Sequence, residues 1–215
     1  SYRNKFHKVL RNKLKVKKYK TLNETLRAIF LEIKYQEIKK NNECITCRGP
    51  DETKELNTNI ETLFPSSRNK NFITCFFNRL SIIDLSQEAS QPMVSNNFQN
   101  LILFNGEIYN HRALRKDLES KGVIFYSSHS DTETLLNGLS YYGMSFLSMV
   151  DGQFSISFLD SKKNKLHLIR DRMGQKPLYY KYESKSLIFS SGLRPIALQE
   201  KNRTVDKNSL INFFN

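Results

Sequence analysis

Four short apolar segments follow one another between residues 153 and 192: QFSISFLD, KLHLIRD, PLYYKYE and SLIFSSG. Only a few turn residues separate them, and this spacing constrains the fold more than any other feature. Parallel neighbours need a crossover of a dozen or more residues, so these strands must run antiparallel. SKKN (161–164), RMGQK (172–176) and YESKS (182–186) read as the hairpin turns between them.

Upstream, FITCFFNRLSIID (72–84) is rich in β-branched and aromatic residues and reads as a strand. The run Leu101-Ile102-Leu103-Phe104 reads as a buried strand that breaks at Asn105-Gly106-Glu107, and GVIFYSS (122–128) as a further short strand. Residues 21–40 look helical, because Leu22, Leu26, Ile29, Phe30, Ile33 and Ile38 recur at three-to-four spacing. CRGPDETKE (47–55) then signals a turn. A helix is predicted from His111 to Lys121, with Asn110 as cap and Gly122 as stop. Another runs from Asp131 to Tyr142 through Ser130, and a last from about Asp206 to Phe214. Strands in bunches and helices in groups predict an α+β fold built on antiparallel sheets.

The net charge of +13 is unevenly placed. Residues 1–20 carry Arg3, Lys5, Lys8, Arg11, Lys13, Lys15, Lys17, Lys18 and Lys20 and no acid, which leaves only +4 for the remaining chain. Such an arm predicts contact with a polyanion, RNA first, against the alternatives of anionic lipid or a merely solvated tail. Three cysteines cannot form a paired framework and suit a reducing compartment. No apolar stretch approaches the roughly 18 residues of a membrane span. The chain opens on Ser1 rather than Met, so a removed or unrecorded leading segment is expected. The lone pair Cys44-Ile45-Thr46-Cys47 lacks the further ligands that structural zinc requires, and no metal is expected. No phosphate loop or dinucleotide fingerprint is present, so no cofactor is expected either.

LFNGEIYN (103–110) holds the sequence's most suggestive chemistry. A glycine beside an asparagine at the end of a strand lets a backbone N–H approach a substrate oxygen closely. Together with CRGPDE, NRLSIIDLS, QPM, SDTETLL, DGQFSISFLD and IRDRMGQKPLYY, it resembles the glutaminase domain of glutamine-dependent asparagine synthetases, a class II glutamine amidotransferase, from about Arg48 to Asn215. The resemblance implies an N-terminal-nucleophile hydrolase fold, a four-layer αββα sandwich of two antiparallel sheets. It also implies that Arg79 grips the glutamine α-carboxylate as a bidentate fork, that Glu107 and Asp131 take the α-ammonium, and that Asn105 and the Gly106 N–H hold the oxyanion. In plainly structural roles, Asn105-Gly106 would be turn chemistry and Arg79–Asp131 an ion pair.

In that family an N-terminal cysteine attacks the glutamine amide, with its own α-amino group as base. Here the first cysteine is the internal Cys44. Cys47 stands where the family usually has His, Asn78 precedes the arginine, and Gly192 stands where the family usually has an acid. The synthetase half with its pyrophosphate loop does not follow. These departures predict no catalytic residue, a vestigial oxyanion hole at Asn105 and Gly106, and weak glutamine binding. The expected layout is a basic arm (1–20), a helical lead-in (21–46) and an amidotransferase-like domain (47–215). The expected role is an inactive structural subunit of a large mitochondrial assembly, a ribosome first, in contact with structural RNA and with other subunits; otherwise the chain is cytoplasmic. Two alternatives stay open: an ammonia-supplying glutaminase subunit, and a glutamine sensor that does not turn its ligand over.

Overall fold

The computed structural model describes residues 35–65, 67, 71–79, 90–95, 97, 99–183, 186–199 and 211–212. The arm cations and the first part of the lead-in lie outside these residues, as does most of the helix predicted at 206–214, of which 211–212 are helical.

Helix α1 (35–42) runs into a 3-10 turn, Glu43–Arg48. Strand β1 (Glu52–Asn59) follows, then a single helical turn, α2 (Ile60–Leu63), and β2 (Phe72–Arg79). Strands β3 (Met93–Ser95) and β4 (Asn100–Ile108) lead into α3 (His111–Ser120) and α4 (Asp131–Tyr142). A 3-10 segment, Gly143–Met149, connects to β5 (Gly152–Asp160), β6 (Lys165–Arg170), β7 (Tyr179–Glu183), β8 (Ser186–Ser190) and α5 (Leu193–Ala197). All strand pairs are antiparallel, in the order β1-β2, β3-β4-β5-β6 and β7-β8.

The layers follow from side-chain alternation along β4 and β5. Ile102, Phe104, Ile108, Phe154, Ile156 and Phe158 point to one face and form the main core with Leu114 and Leu118 of α3 and Leu135, Leu136 and Leu139 of α4. Leu101 and Leu159 point to the other face and meet Ile60 and Phe64, with Leu56 of β1 and Ile73 of β2 packed alongside. The outer face of β1–β2 is covered by α1, where Tyr35 stacks on Phe76 with ring centroids 5.9 Å apart and donates its hydroxyl proton to Glu55 at 2.7 Å. Asn42 and Asn78 exchange two hydrogen bonds beside that stack. Helix, sheet, sheet and helix are therefore stacked in four layers, with β5 buried on both faces. Burying each of the large apolar side chains contributes about 1.5–3 kcal/mol.

The structure corrects several sequence expectations. ETKE, read as part of the turn stretch CRGPDETKE, instead opens strand β1 (ETKELNTN), whose polar residues gain strand geometry only through eight-residue pairing with β2. GVIFYSS forms no strand, because Tyr126 and Ser127 donate their N–H groups to the Glu133 carboxylate, at 2.7 and 2.8 Å, instead of to a neighbouring chain. RMGQK is not a hairpin: β6 and β7 belong to different sheets. Asn110 holds the N-cap position of α3 as expected, but its side chain makes no capping bond; its amide bridges the Met149 carbonyl and the Asp151 N–H. Helix α4 begins and ends where expected, with the Ser130 hydroxyl accepting from the Glu133 N–H at 3.1 Å.

Candidate functional site: a cavity between the two sheets

The strand β4 does not break at Asn105. It continues to Ile108, with Asn105 opposite Ser155, Gly106 opposite Phe154 and Glu107 opposite Gln153. Gly106 is required by this close approach: a Cβ there would stand 2.0 Å from the Gln153 carbonyl oxygen and 2.8 Å from the Phe154 Cα. Alternation also sets what the two residues offer. Asn105 shares the face of Leu103 and Leu101, toward β2, and its Nδ2 has no hydrogen-bond partner among the described residues. Gly106 shares the phase of Phe104 and Ile108, whose N–H groups turn away from β5 to the Gln91 Oε1 (2.6 Å) and Asp131 Oδ2 (3.2 Å). The Gly106 N–H therefore points to that same edge, beyond the three residues at which β3 pairs with β4. Asn105 and Gly106, both lining the cavity, thus offer one side-chain N–H and one backbone N–H from consecutive residues, the kinds of donor that oxyanion stabilisation uses.

Gln91 is a site residue without an assigned role in the sequence reading. It is 5% exposed, and its amide imitates a strand: Oε1 accepts from the Phe104 N–H while Nε2 donates to the Phe104 carbonyl at 3.1 Å. Nε2 also lies 3.3 Å from the Thr132 hydroxyl, which ties β4 to the first turn of α4. The QPM block was the available signal, but nothing local shows a glutamine replacing a strand.

A cavity of about 530 Å³ lies above these residues, lined by β2, β4, β5 and β8 and roofed in part by α1. Arg79, Asn105, Gly106, Glu107 and Asp131 all line it, so the structure brings together the five residues singled out in the sequence. Arg79 ends β2 and is buried; its guanidinium lies 3.6 Å from Glu52. The Ser90 hydroxyl, with Lys54 and Arg79 beside it, holds the Glu52 carboxyl below its usual range. Asp131 is not the ion partner of Arg79. It sits at the first position of α4, 7% exposed, where burial pushes its carboxyl above the usual range against the opposing pull of the Ile108 N–H and His111. The same burial lowers the His111 imidazole. Glu107 is exposed at the rim.

Three further polar groups line the cavity. The Ser157 hydroxyl and the Asn41 Nδ2 are buried without partners among the described residues. Lys176 is half-buried, its backbone N–H bonded to Asp171 Oδ2 at 3.0 Å. Cys75 also lines the cavity, and burial pushes its thiol up to about 12, so it remains protonated at neutral pH. Cys44 donates its thiol proton to the Asn41 carbonyl, and Cys47 is exposed. No cluster of three or more His, Cys, Asp or Glu side chains among the described residues could hold a metal ion, and no described helix is long and apolar enough to cross a membrane.

The fold is an α+β sandwich, and two N–H donors, a buried arginine and a helix-terminal carboxylate line one cavity in it. The glutamine amidotransferase domain family matches residues 28–215, and the chain belongs to it. It is 33% identical over 173 residues to asparagine synthetase [glutamine-hydrolyzing] 1 of Bacillus subtilis, which covers 80% of this chain and 25% of that protein. The asparagine synthetase [glutamine-hydrolyzing] of Sandersonia aurantiaca is 39% identical over 101 residues, 47% of this chain and 18% of the relative. The chain thus spans a quarter or less of the length of these relatives. Among solved structures, glutamine phosphoribosylpyrophosphate amidotransferase from B. subtilis, complexed with ADP and GMP, shares the fold with a TM-score of 0.50 and 21% identity, over 60% of this chain and 30% of that one.

Proposed function

We propose that this domain binds glutamine and does not hydrolyse it, acting as a binding and structural module within a larger assembly. The observation that carries the reading is the convergence of Arg79, Asn105, Gly106, Glu107 and Asp131 on one cavity. Arg79 supplies a fork for the α-carboxylate, Asp131 and Glu107 the charges for the α-ammonium, and Asn105 with Gly106 the donors for the amide oxygen. Arg79 must share its charge with Glu52, which keeps the affinity modest. Against hydrolysis stands the cysteine at hand: Cys75 is held as a thiol, and only a thiolate is an effective nucleophile.

Calorimetry with millimolar glutamine, compared with Arg79→Ala, tests the binding; absence of heat in the wild type would refute it. Glutamate release that disappears in Asn105→Ala would instead make the domain an ammonia-supplying glutaminase subunit.

The composition of residues 1–20 supports a second element of the reading, that this arm attaches the domain to structural RNA, in a mitochondrial assembly such as a ribosome. If about five to seven of its cations meet phosphates, log affinity for duplex RNA falls with log salt at a slope near −5 to −6. Deleting residues 1–20 should flatten that slope. A truncated protein with undiminished salt dependence would overturn the assignment.

A further inference from the structure

We infer that the cavity is built for a γ-glutamyl amino acid, a glutamine-like head whose amide nitrogen carries a second residue with its own carboxylate. The inference rests on the glutamine reading above and extends it across the sheet. The cavity, about 530 Å³, falls in the range that encloses drug-sized molecules, well beyond what a single free amino acid fills.

Charged and polar groups from both floor strands and their flanks line the cavity. Asp131 and Glu107 stand at the β4 end, and Asn105, the donor for the amide oxygen, faces the same cavity. Ser155 on β5 is directly opposite Asn105. Lys176 comes next: Asp171 Oδ2 accepts from both the Phe154 N–H (3.2 Å) and the Lys176 N–H (3.0 Å), so Lys176 is fixed beside the start of β5. Its carbonyl is also held, accepting from the Arg170 Nε at 2.8 Å. Neighbouring strands are about 4.8 Å apart, so an amide at Asn105 lies one strand spacing from the β5 floor, beside whose start the Lys176 backbone is held.

Lys176 lines the cavity, and no carboxylate pairs with it among the described residues. A substituent carboxylate one carbon beyond the amide nitrogen is the group this ammonium fits. Two residues deeper along β5, about 7 Å, the buried Ser157 hydroxyl lacks a partner, and the Asn41 Nδ2 lacks one on the opposite wall. These groups suit the polar atoms of a second residue that glutamine alone does not possess.

The test is calorimetry on the full chain with L-glutamine, γ-glutamylglycine and γ-glutamylethylamide, the last two differing chiefly in the terminal carboxylate. γ-Glutamylglycine should bind about 5- to 20-fold more tightly than the ethylamide, the range expected for one partly exposed charge-assisted contact. Lys176→Met should remove that advantage, and an unchanged melting curve would show that the variant is folded. Equal affinity of the two conjugates, or a Lys176→Met variant that retains the preference, overturns the inference. Glutamine binding without any binding of γ-glutamylglycine also overturns it, while leaving the glutamine reading intact. Failure of all three ligands overturns both.

Discussion

Gln91 carries more of the site than its single side chain suggests. Its amide satisfies both the N–H and the carbonyl of Phe104 at an edge where β3 no longer pairs with β4. Gln91→Met keeps nearly the same volume and removes both bonds, so two buried backbone groups lose their partners. Each such loss costs about 1–3 kcal/mol, and the added apolar burial offsets part of it. The expected net destabilisation is about 2–4 kcal/mol, or a melting temperature lower by about 5–15 °C in a chain of this size. Gln91→Glu separates the two bonds. One oxygen still accepts from the Phe104 N–H, but an ionised carboxylate faces the Phe104 carbonyl, where a donor is needed. A protonated carboxyl restores that donor, so the folded state holds the proton more tightly than the unfolded one. The variant should therefore gain stability relative to wild type as pH falls from 8 toward about 5. Melting curves for wild type, Q91M and Q91E at both pH values measure this. A cost below about 1 kcal/mol for Q91M, with no pH-dependent gap for Q91E, would show that Phe104 is satisfied by other means.

Gly106→Ala forces a Cβ to within 2.0 Å of the Gln153 carbonyl oxygen, so β4 and β5 must separate locally; a loss of about 1–3 kcal/mol in urea unfolding, together with loss of glutamine binding, is expected. The raised Asp131 carboxyl means that α-ammonium binding should begin to weaken on acidification above the ordinary carboxylate range near 4. Over the same interval this group stabilises the fold as it takes up its proton, because the folded pKa lies above the unfolded one; a pH series of glutamine isotherms should slope accordingly and flatten in Asp131→Asn. Gly138→Ala drives a Cβ to 2.1 Å from the Phe146 ring, which is completely buried. It should cost less in a Phe146→Leu background than alone, and additive melting shifts would contradict that contact.

Helix α4 was readable because its cap is local: Ser130 and Glu133 sit three residues apart, and the Ser130 hydroxyl accepts from the Glu133 N–H. The four C-terminal strands were readable for the same kind of reason, since alternation and turn residues are properties of short windows. The αββα architecture and the five site residues came instead from a resemblance spread over several blocks. What was not legible depends on partners distant in sequence. β1 is too polar to announce itself and becomes a strand only against β2. Val123 and Phe125 look like strand residues, yet they pack on the core while the neighbouring backbone bonds to a helix carboxylate. Asn105 and Gly106 read as a strand end, although pairing with Ser155 and Phe154 carries the strand through them. Gln91, Ser157 and Lys176 have ordinary local surroundings and meet the site only when the sheets stack and the loop after β6 folds back on Asp171. A window of sequence encodes periodicity, capping and turn chemistry, because those forces act between residues a few positions apart. The shape of a cavity, and which polar atoms within it lack partners, are set by contacts across tens of residues, and those exist only once the chain has packed.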